Sequence, residues 1–321
     1  MQVSIVVPVY NSADCLGELV RRLEKELGGA GLHFEVVLVD DDSPDNSWRT
    51  IVDLSQRHEV LTGLRLRRNA GQDNAIMAGL RASRGEVVIV MDDDLQHDPA
   101  DIPALYAAVR DGGYDVVYAR FRSKRQALWK NFGSWLNDRL AVVVLGKPKE
   151  IYLSPFKAIR REVVEEVIKY EGPFSYVDGL LFTITSSIGQ VEATHHPRFA
   201  GRGNYNLVKS IRVWLKLATN FSVVPLRVAT LAGGIMSVMA FLAGAFFILQ
   251  ALFLERSPPG WPSLVVTVLF LGGVQLVGLG AVGEYVGRIY IAQNKRPQFT
   301  VRESCGHPPR GSAPSGEVPG S

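Results

Sequence analysis

Three carboxylates follow an apolar stretch directly in this chain. Residues 87–91 read Val-Val-Ile-Val-Met, and Asp92, Asp93 and Asp94 come next. Crowded carboxylates repel one another, and a divalent cation that prefers oxygen ligands relieves the repulsion. The pattern therefore predicts a site for Mg²⁺ or Mn²⁺ together with the oxygens of a diphosphate. The alternative is a solvated acidic loop, although such a loop rarely follows a buried strand so abruptly.

A second acidic cluster lies earlier in the chain. Residues 40–45 read Asp-Asp-Asp-Ser-Pro-Asp and also end an apolar run. Two acidic clusters at strand ends describe a nucleotide-sugar pocket better than a phosphate cradle. The sequence contains no G-x-x-x-x-G-K-[ST] motif and no G-x-G-x-x-G motif after its first apolar run. Kinase-like and dinucleotide-binding classes therefore lose their main support.

The elements that must position these acids follow an α/β pattern. Candidate strands are residues 3–9, 34–39, 61–66, 86–91 and 115–119. A helical pattern follows the first strand, with Asn11 and Ser12 as cap candidates, and Asp98 before Pro99 opens another helix. The alternation predicts a mainly parallel sheet, in which ligands bind at the carboxyl ends of the strands.

The composition limits the class of protein. The chain has 321 residues, enough for one catalytic domain and an appendage, and its net charge of +3 does not favour a nucleic-acid partner. Cys15 and Cys305 lie far apart, so neither a zinc site nor a disulfide framework is indicated. The first residues lack the features of a signal peptide, and we expect the catalytic part in the cytosol.

Two long stretches, residues 228–254 and 261–283, contain no charged residue. Each exceeds the ~20 residues that cross a hydrocarbon core of ~30 Å. A turn at residues 257–260 joins them into a predicted hairpin. Lysine and arginine lie outside both ends, so the positive-inside rule places both ends in the cytoplasm. A buried helical hairpin of a soluble protein is the alternative.

Basic segments that carry tryptophan precede the hairpin, at residues 123–145 and 205–221. Amphipathic helices of this composition are typical of the membrane interface, and ordinary surface helices are the alternative. The tail from residue 303 to residue 321 is rich in Gly, Pro and Ser, which predicts disorder.

The motifs, taken in order, resemble those of family 2 glycosyltransferases with the GT-A fold. They are V-P-V-Y-N at 7–11, V-D-D-D-S-P-D at 39–45, R-N-A-G-Q at 68–72 and D-D-D-L-Q at 92–96. Segments at 198–205, 220–227 and 283–290 are similar to later motifs of the polyprenyl-phosphate branch. That branch includes dolichyl-phosphate mannose synthase, the bactoprenol glucosyltransferases and the undecaprenyl-phosphate aminoarabinose-type transferases.

The resemblance implies roles for residues that match the motifs. The nucleotide-binding set is Pro8, Tyr10, Asn11, Asp40, Asp42, Asn69, Gln72, Asp92 and Asp93. The metal set is Asp92, Asp94 and Gln96. The catalytic set is Asp94, Arg120, Arg198 and, for the reason given next, Asp178. The set expected at the acceptor phosphate and the membrane interface is Lys124, Arg125, Arg202, Tyr205 and Lys209. Surface salt bridging is the alternative for Arg120 and Arg198.

Two departures from the branch put the identity of the sugar in doubt. The aminoarabinose-type relatives have D-Y-G-C where residues 151–154 read Ile-Tyr-Leu-Ser, and Gly203 and Asn204 replace a usual Ser-Lys pair. Asp178, at an apparent helix start, is our replacement for the missing aspartate, and a helix cap is the alternative. Adjacent His195 and His196 face opposite sides of an extended chain, which favours a structural or phosphate-contacting role over a metal pair.

The resemblance implies a GT-A domain at residues 1–204, with the first interface helix at 123–145. It implies a second interface helix at 205–225, a transmembrane hairpin at 226–290 and a cytoplasmic tail at 291–321. The implied reaction is an inverting, metal-dependent transfer of one sugar from a nucleotide sugar to a polyprenyl phosphate. We expect a UDP-linked donor and a location in the cytoplasmic membrane. We also expect a homo-oligomer, and a tetramer by analogy with relatives of this branch. A processive polysaccharide synthase and a non-catalytic membrane scaffold are the alternatives.

Overall fold

A computed structural model describes residues 1–121, 151–173, 175–194, 260–294 and 297–306, together with single positions between 230 and 253. The chain divides into two compact units, residues 1–204 with 295–321, and residues 205–294. Both predicted interface helices, at 123–145 and 205–225, lie outside the described residues.

A mixed sheet forms the centre of the first unit. Its described strands are β1 (Val3–Val9), β2 (Phe34–Asp40), β3 (Leu61–Leu66), β4 (Val87–Val90), β5 (Val116–Phe121), β6 (Lys157–Arg160), β7 (Ile188–Ala193) and β8 (Val301–Gly306). Their spatial order is β7-β5-β6-β4-β1-β2-β3-β8. The neighbours β4, β1, β2 and β3 are parallel, whereas β6 and β8 run antiparallel to the strands that they contact. The predicted α/β fold with a mainly parallel sheet is confirmed.

Helices follow most of the strands of this unit. They are α1 (Ala13–Gly29), α2 (Ser47–Ser55), α3 (Gln72–Ala82), α4 (Ile102–Arg110), α5 (Arg161–Val167) and α6 (Val177–Ile184). Ser12 is the N-cap residue of α1, although its side chain makes no capping bond. Asp98 does cap the short 3₁₀ turn Pro99–Asp101, because its side chain accepts a hydrogen bond from Ala100 N at 3.0 Å. The predicted start of this helix is therefore confirmed.

The core contains the inward faces of the central strands and the apolar stripe of α1. Val3, Ile5, Val7 and Val9 have no accessible surface, and five leucine or valine side chains of α1 are equally buried. Those five are Leu16, Leu19, Val20, Leu23 and Leu27. Fully burying a side chain of this size contributes about 1.5–3 kcal/mol. The core therefore makes β1 a rigid support for the loop that follows it.

Strand β8 corrects one expectation from composition. Disorder was expected from residue 303, but Glu303–Gly306 belong to a strand that pairs with β3. The pairing satisfies backbone groups at the sheet edge, which composition alone does not reveal. Gly63 of β3 permits the close approach, since a Cβ at this position would lie 2.6 Å from Cys305 Sγ. Both cysteines are free thiols.

The second unit contains α7 (Trp261–Gln293). Its stretch Phe270–Gln293 is long and apolar enough to cross a membrane, by length and composition, and is the one such candidate in the described part of the chain. Large apolar side chains along α7 are exposed, among them Phe270, Leu276 and Ile289. The described positions between 230 and 253 are helical, but the predicted two-helix hairpin stays a prediction.

Candidate active site

Both predicted acidic clusters lie at one edge of the sheet. Asp40 ends β2, and Asp92, Asp93 and Asp94 follow β4. Strand β1 lies between β2 and β4 and is parallel to both, so the carboxyl ends of the three strands are neighbours. Tyr10 follows β1 at this same edge. The sheet therefore brings together the three motifs in which nucleotide and metal binding were predicted.

Hydrogen bonds from the loop after β1 and from the first residue of α3 converge on the carboxylates that follow β4. Tyr10 N donates to Asp93 Oδ2 at 3.3 Å, and Gln72 Nε2 donates to Asp92 Oδ1 at 2.8 Å. Burial raises the pKa of Asp93, while bonds from Ser12 and Tyr10 act in the opposite direction. Of these groups, Tyr10 and Gln72 are exposed. These hydrogen bonds therefore hold the loop after β4 against the loop after β1 and the start of α3, and they leave accessible surface beside it.

Asp41 connects the end of β2 to the loop before α3. Its carboxylate accepts bonds from Ala70 N at 2.6 Å and from Gly71 N at 2.8 Å. Gly71 has a φ of 93°, a backbone conformation that glycine adopts without steric cost. Burial raises the pKa of Asp41, and the two N–H donors lower it. The sequence prediction named Asp40 and Asp42 and missed Asp41, although the run of three aspartates contained the signal.

Backbone strain is concentrated in these same loops. Among the described residues other than glycine, a positive φ occurs at Asn11 (58°), Asp42 (55°) and Leu95 (60°). Each of the three lies just beyond β1, β2 or β4. Left-handed conformations of such residues cost about 1–3 kcal/mol and persist where the surrounding structure enforces them. Their coincidence with the acidic loops supports a functional interpretation of this edge.

His97, which the sequence did not single out, supports the backbone of the acidic loop after β4. Asp92 N donates to His97 Nδ1 at 3.2 Å, so Nδ1 acts as the acceptor. The imidazole is buried and stacks against Phe121 and Phe156, with ring centroids 5.6 and 5.1 Å apart. The stacking fixes the ring, and the ring in turn fixes the backbone of Asp92.

The donor atoms beside β4 suit a hard divalent cation. Asp92 and Asp94 provide carboxylate oxygens, and Asp94 Oδ1 accepts a bond from Gln96 N at 3.1 Å. No group of three or more His, Cys, Asp or Glu side chains among the described residues is arranged to hold a metal by itself. Mg²⁺ beside a nucleotide needs only one or two protein carboxylates, because phosphate oxygens and water complete its shell. The residues therefore fit a metal bound together with a diphosphate.

A second polar cluster lies between β5, β6 and α6. The Lys157 ammonium and the Tyr118 hydroxyl both donate to Asp178 Oδ1, the latter at 2.8 Å. Asp178 lies in the first turn of α6 and is not its N-cap residue, which is Tyr176. The cap alternative for Asp178 is therefore wrong. The two donors, Lys157 and Tyr118, therefore fix the position of Asp178 Oδ1.

Asp73 connects this second cluster to the acidic edge. Its side chain accepts a bond from Val177 N at 3.2 Å, and the preceding residue, Gln72, holds Asp92. The pKa of Asp73 is raised to about 6, chiefly by burial and also by Asp178, although the Val177 N–H and Lys157 act to lower it. Burial followed by the nearby carboxylates also raises the pKa of Tyr176. The first turn of α3 thus contacts both halves of the candidate site.

The remaining predicted residues have the following positions. Pro8 is a buried residue of β1, Asn69 is exposed before α3, and Arg120 is exposed near the end of β5. Six predicted residues lie outside the described part of the chain: Lys124, Arg125, Arg198, Arg202, Tyr205 and Lys209. His195 and His196 lie outside it as well.

Comparison with known proteins identifies relatives along almost the whole chain. The family model described as glycosyl transferase family 2 matches residues 4–168. An uncharacterized glycosyltransferase of Synechocystis sp. is 34% identical over 311 residues, which cover 95% of this chain and 96% of that protein. The undecaprenyl-phosphate 4-deoxy-4-formamido-L-arabinose transferase of Klebsiella pneumoniae is 31% identical over 313 residues, which cover 96% of this chain and 94% of that protein.

Solved structures share the fold at low sequence identity. Glucosyl-3-phosphoglycerate synthase from Mycobacterium tuberculosis, in complex with uridine diphosphate, has a TM-score of 0.50 and 16% identity. The match covers 68% of this chain and 78% of that one. The same enzyme with Mn²⁺, uridine diphosphate and phosphoglyceric acid also has a TM-score of 0.50, at 17% identity. These matches support the GT-A architecture of the first unit.

Proposed function

The chain belongs to glycosyl transferase family 2, and we propose that it transfers one sugar from a nucleotide sugar to a polyprenyl phosphate at the cytoplasmic face of a membrane. The convergence of Tyr10, Gln72 and the carboxylates of Asp92 and Asp93 at one sheet edge is the observation that carries the proposal. The undecaprenyl-phosphate relative and the apolar stretch Phe270–Gln293 support the choice of a lipid acceptor.

The nucleoside half of the donor is assigned to the loops after β1 and β2. Tyr10, Asn11 and Asp42 lie there with accessible surface, and Asp40 is buried beneath them. Asn11 N donates to Ser43 Oγ at 3.1 Å, which connects the two loops. A preformed, connected pair of loops lowers the ordering cost of binding. We propose a uridine nucleotide, with guanosine diphosphate mannose as the second candidate, following the family resemblance.

The diphosphate is assigned to the acidic loop after β4. Asp92 and Asp94, with Gln96, would hold Mg²⁺ or Mn²⁺, and a bound ion would stabilise negative charge that develops on the leaving diphosphate. Arg120, exposed near the end of β5, is our candidate for a second positive charge beside the phosphates. Because the carboxylates are held by Gln72 Nε2 and Gln96 N, little reorganisation is needed on binding.

The proposed chemical step is a single displacement. An oxygen of the lipid phosphate forms a bond to the anomeric carbon, and the bond from this carbon to the diphosphate breaks. The nucleoside diphosphate leaves with the electron pair, and attack from the opposite side inverts the anomeric configuration. A phosphate monoester with a second pKa near ~6 is mostly dianionic at neutral pH, so this nucleophile needs little help from a general base.

Asp178 is proposed to contact a sugar hydroxyl or to orient the acceptor. Its Oδ1 is occupied by Lys157 and Tyr118, and neither of these two bonds involves Oδ2. The side chain is 17% exposed, whereas that of Lys157 is 3% exposed. A carboxylate with one oxygen fixed has a defined orientation, which is the requirement for a positioning group.

A transfer assay tests the proposal. Detergent-solubilised protein is incubated with undecaprenyl phosphate, Mn²⁺ or Mg²⁺ and a panel of radiolabelled nucleotide sugars. We expect label from one donor to enter the organic phase, and the transfer to stop with the variant Asp94→Asn. A product with more than one sugar would instead support the processive alternative. No transfer from any donor, despite nucleotide binding, would favour the scaffold alternative.

A further inference from the structure

A row of alternating charge crosses the sheet at the nucleoside end of the candidate site. Arg65 of β3 lies opposite Asp40 of β2 on one side and opposite Glu303 of β8 on the other. Directly opposed residues of neighbouring strands project to the same face of a sheet. Carboxylate, guanidinium and carboxylate therefore lie side by side on three neighbouring strands.

The Arg65 guanidinium lies between three carboxylates at similar distances. Its nitrogens are 3.6 Å from Asp40 Oδ2, 3.7 Å from Asp42 Oδ1 and 3.6 Å from Glu303 Oε1. Asp40 Oδ2 and Arg65 Nε are buried, and neither has a hydrogen-bond partner in the described part of the chain. Ser43 N donates to the other oxygen of Asp40, Oδ1, at 3.3 Å, and Arg65 acts on Asp40 Oδ2 and on Asp42 by charge at ion-pair distance.

Glu303 fixes this orientation through both of its oxygens. Oε1 lies 3.6 Å from Arg65 and 3.3 Å from Arg302 Nε, while Oε2 accepts a hydrogen bond from Trp48 Nε1 at 3.0 Å. Trp48 lies in the first turn of α2, directly after the acidic loop 40–45. Trp48 and Cys305 also pack against the hydrophobic core. The Glu303 side chain of β8 therefore contacts both β3, through Arg65, and α2, the helix that follows the acidic loop 40–45.

The same C-terminal segment supports the next loop of the site. Arg67 N donates to Thr300 O at 2.8 Å, directly before β8 begins. Arg67 opens the loop that leads to Asn69 and Gln72. Residues 300–303 thus contact Trp48, which follows the acidic loop 40–45, and Arg67, which begins the loop before α3, although they follow α7 in the chain.

We propose that Arg65 and Glu303 are positioning residues for the nucleoside. Arg65 offsets the repulsion between Asp40 and Asp42, and Glu303 holds Arg65 and Trp48 so that both carboxylates keep the orientation that the base and the ribose need. Asp42 has the strained φ of 55°, so its position depends on such support. This inference rests on the proposed function, because it assumes that a nucleotide occupies this edge.

The conservative variant Glu303→Gln tests the inference. The glutamine amide oxygen can still accept the Trp48 bond, whereas the attraction to Arg65 and to the half-exposed neighbour Arg302 is lost. We expect the Kd for uridine diphosphate with Mn²⁺, and the KM for the sugar donor, to rise about fivefold, which corresponds to about 1 kcal/mol. The kcat should stay within about twofold of the wild type, since the acidic loop after β4 is untouched. Ser304→Ala, on the next exposed position of β8, is the matched control and should change neither constant.

A second variant separates coupling from a general loss of structure. Arg65→Gln should raise the donor KM more than Glu303→Gln, and the double variant should resemble Arg65→Gln alone, because Glu303 acts through Arg65. Unchanged binding in Glu303→Gln, a loss of kcat without a change in KM, or additive effects in the double variant would overturn the inference alone. Wild-type protein that binds neither uridine diphosphate nor guanosine diphosphate would overturn the proposed function and this inference with it.

Discussion

Lys157 donates a hydrogen bond to Oδ1 of Asp178, and this ion pair joins β6 to the first turn of α6. The lysine is almost fully buried, and the Tyr118 hydroxyl shares its acceptor oxygen. A buried ammonium without a counter-charge is strongly destabilising, so the pair has a structural effect in addition to any role in transfer. The two effects can be separated by experiment.

Asp178→Asn should lower both stability and turnover. Breaking a buried pair by removing one partner costs about 3–5 kcal/mol, and the partial exposure of Asp178 reduces this to roughly 2 kcal/mol. Turnover should fall at least about tenfold, as for a lost positioning contact. Urea unfolding in detergent and the transfer assay measure the two quantities. Near-full turnover of this variant would contradict the proposed role of Asp178.

The double variant Lys157→Met with Asp178→Asn is the control. It removes both charges and keeps an acceptor for the Tyr118 hydroxyl. We expect stability to return to within about 1 kcal/mol of the wild type, because no unpaired buried charge remains. Transfer should stay impaired. Full recovery of transfer together with stability would mean that the pair is only structural.

Metal dependence should be traceable to the acidic loop after β4. Asp92→Asn should raise the Mn²⁺ concentration for half-maximal transfer at least about tenfold, since one carboxylate ligand out of one or two is lost. EDTA should abolish transfer by the wild type, and added Mn²⁺ should restore it. Asp53→Asn, on the exposed side of α2, is the control and should behave as the wild type. Equal metal requirements in both variants would argue against a metal at this loop.

Asp73 should make stability depend on pH in a defined window. Its folded pKa of about 6 lies above the unfolded value of about 4, so the folded state binds the proton more tightly. Stability contributed by this proton is present below pH ~4 and is lost as the pH rises through ~6. Part of Asp73 is accessible, and the loss should be about 1–2 kcal/mol.

Asp73→Asn should remove that part of the pH dependence. Between pH 4 and pH 7 the unfolding free energy of the wild type should fall relative to that of the variant, because only the wild type loses the Asp73 proton. The asparagine oxygen can still accept the bond from Val177 N. A constant difference across this range would contradict the raised pKa of Asp73.

The contact between β3 and β8 can be tested with a single methyl group. In Gly63→Ala the new Cβ would lie 2.4 Å from Ile51 Cγ2 and 2.6 Å from Cys305 Sγ. Overpacking of this kind costs about 1–3 kcal/mol, which a thermal unfolding curve detects. Gly17→Ala is the matched control, because nothing lies within 4 Å of its Cβ on α1. It should stabilise the protein by up to about 1 kcal/mol.

The sequence was sufficient for the central strands and for the acidic edge. β1 and β3 have the predicted bounds because each has an apolar pattern of its own, a nearly continuous run in β1 and leucines at 61, 64 and 66 in β3, which is a local signal. β6, β7 and β8 were missed, because each contains charged or polar residues and depends on pairing, β6 with β4 and β5, β7 with β5, and β8 with β3. Pairing between distant segments leaves no periodic pattern in the sequence.

The same distinction applies to the site. Asp92 and Asp40 were predicted because a carboxylate that ends an apolar run is visible within ten residues. Asp73 and Lys157 were not, because their contacts with Val177 and Asp178 join elements that are distant in the chain. One signal existed for Lys157: a lysine inside the apolar run Phe-Lys-Ala-Ile is expected to be buried and to need a carboxylate partner.

The position of β8 after α7 has a consequence for biosynthesis. The edge of β3 stays uncovered on the ribosome until the apolar segment and the residues beyond it have been translated. At about 5–20 residues per second, that interval is on the order of tens of seconds. Exposed strand edges recruit other chains, so the nascent protein is open to aggregation during this time. Chains truncated before residue 301 should accordingly be recognised and degraded by cellular quality control.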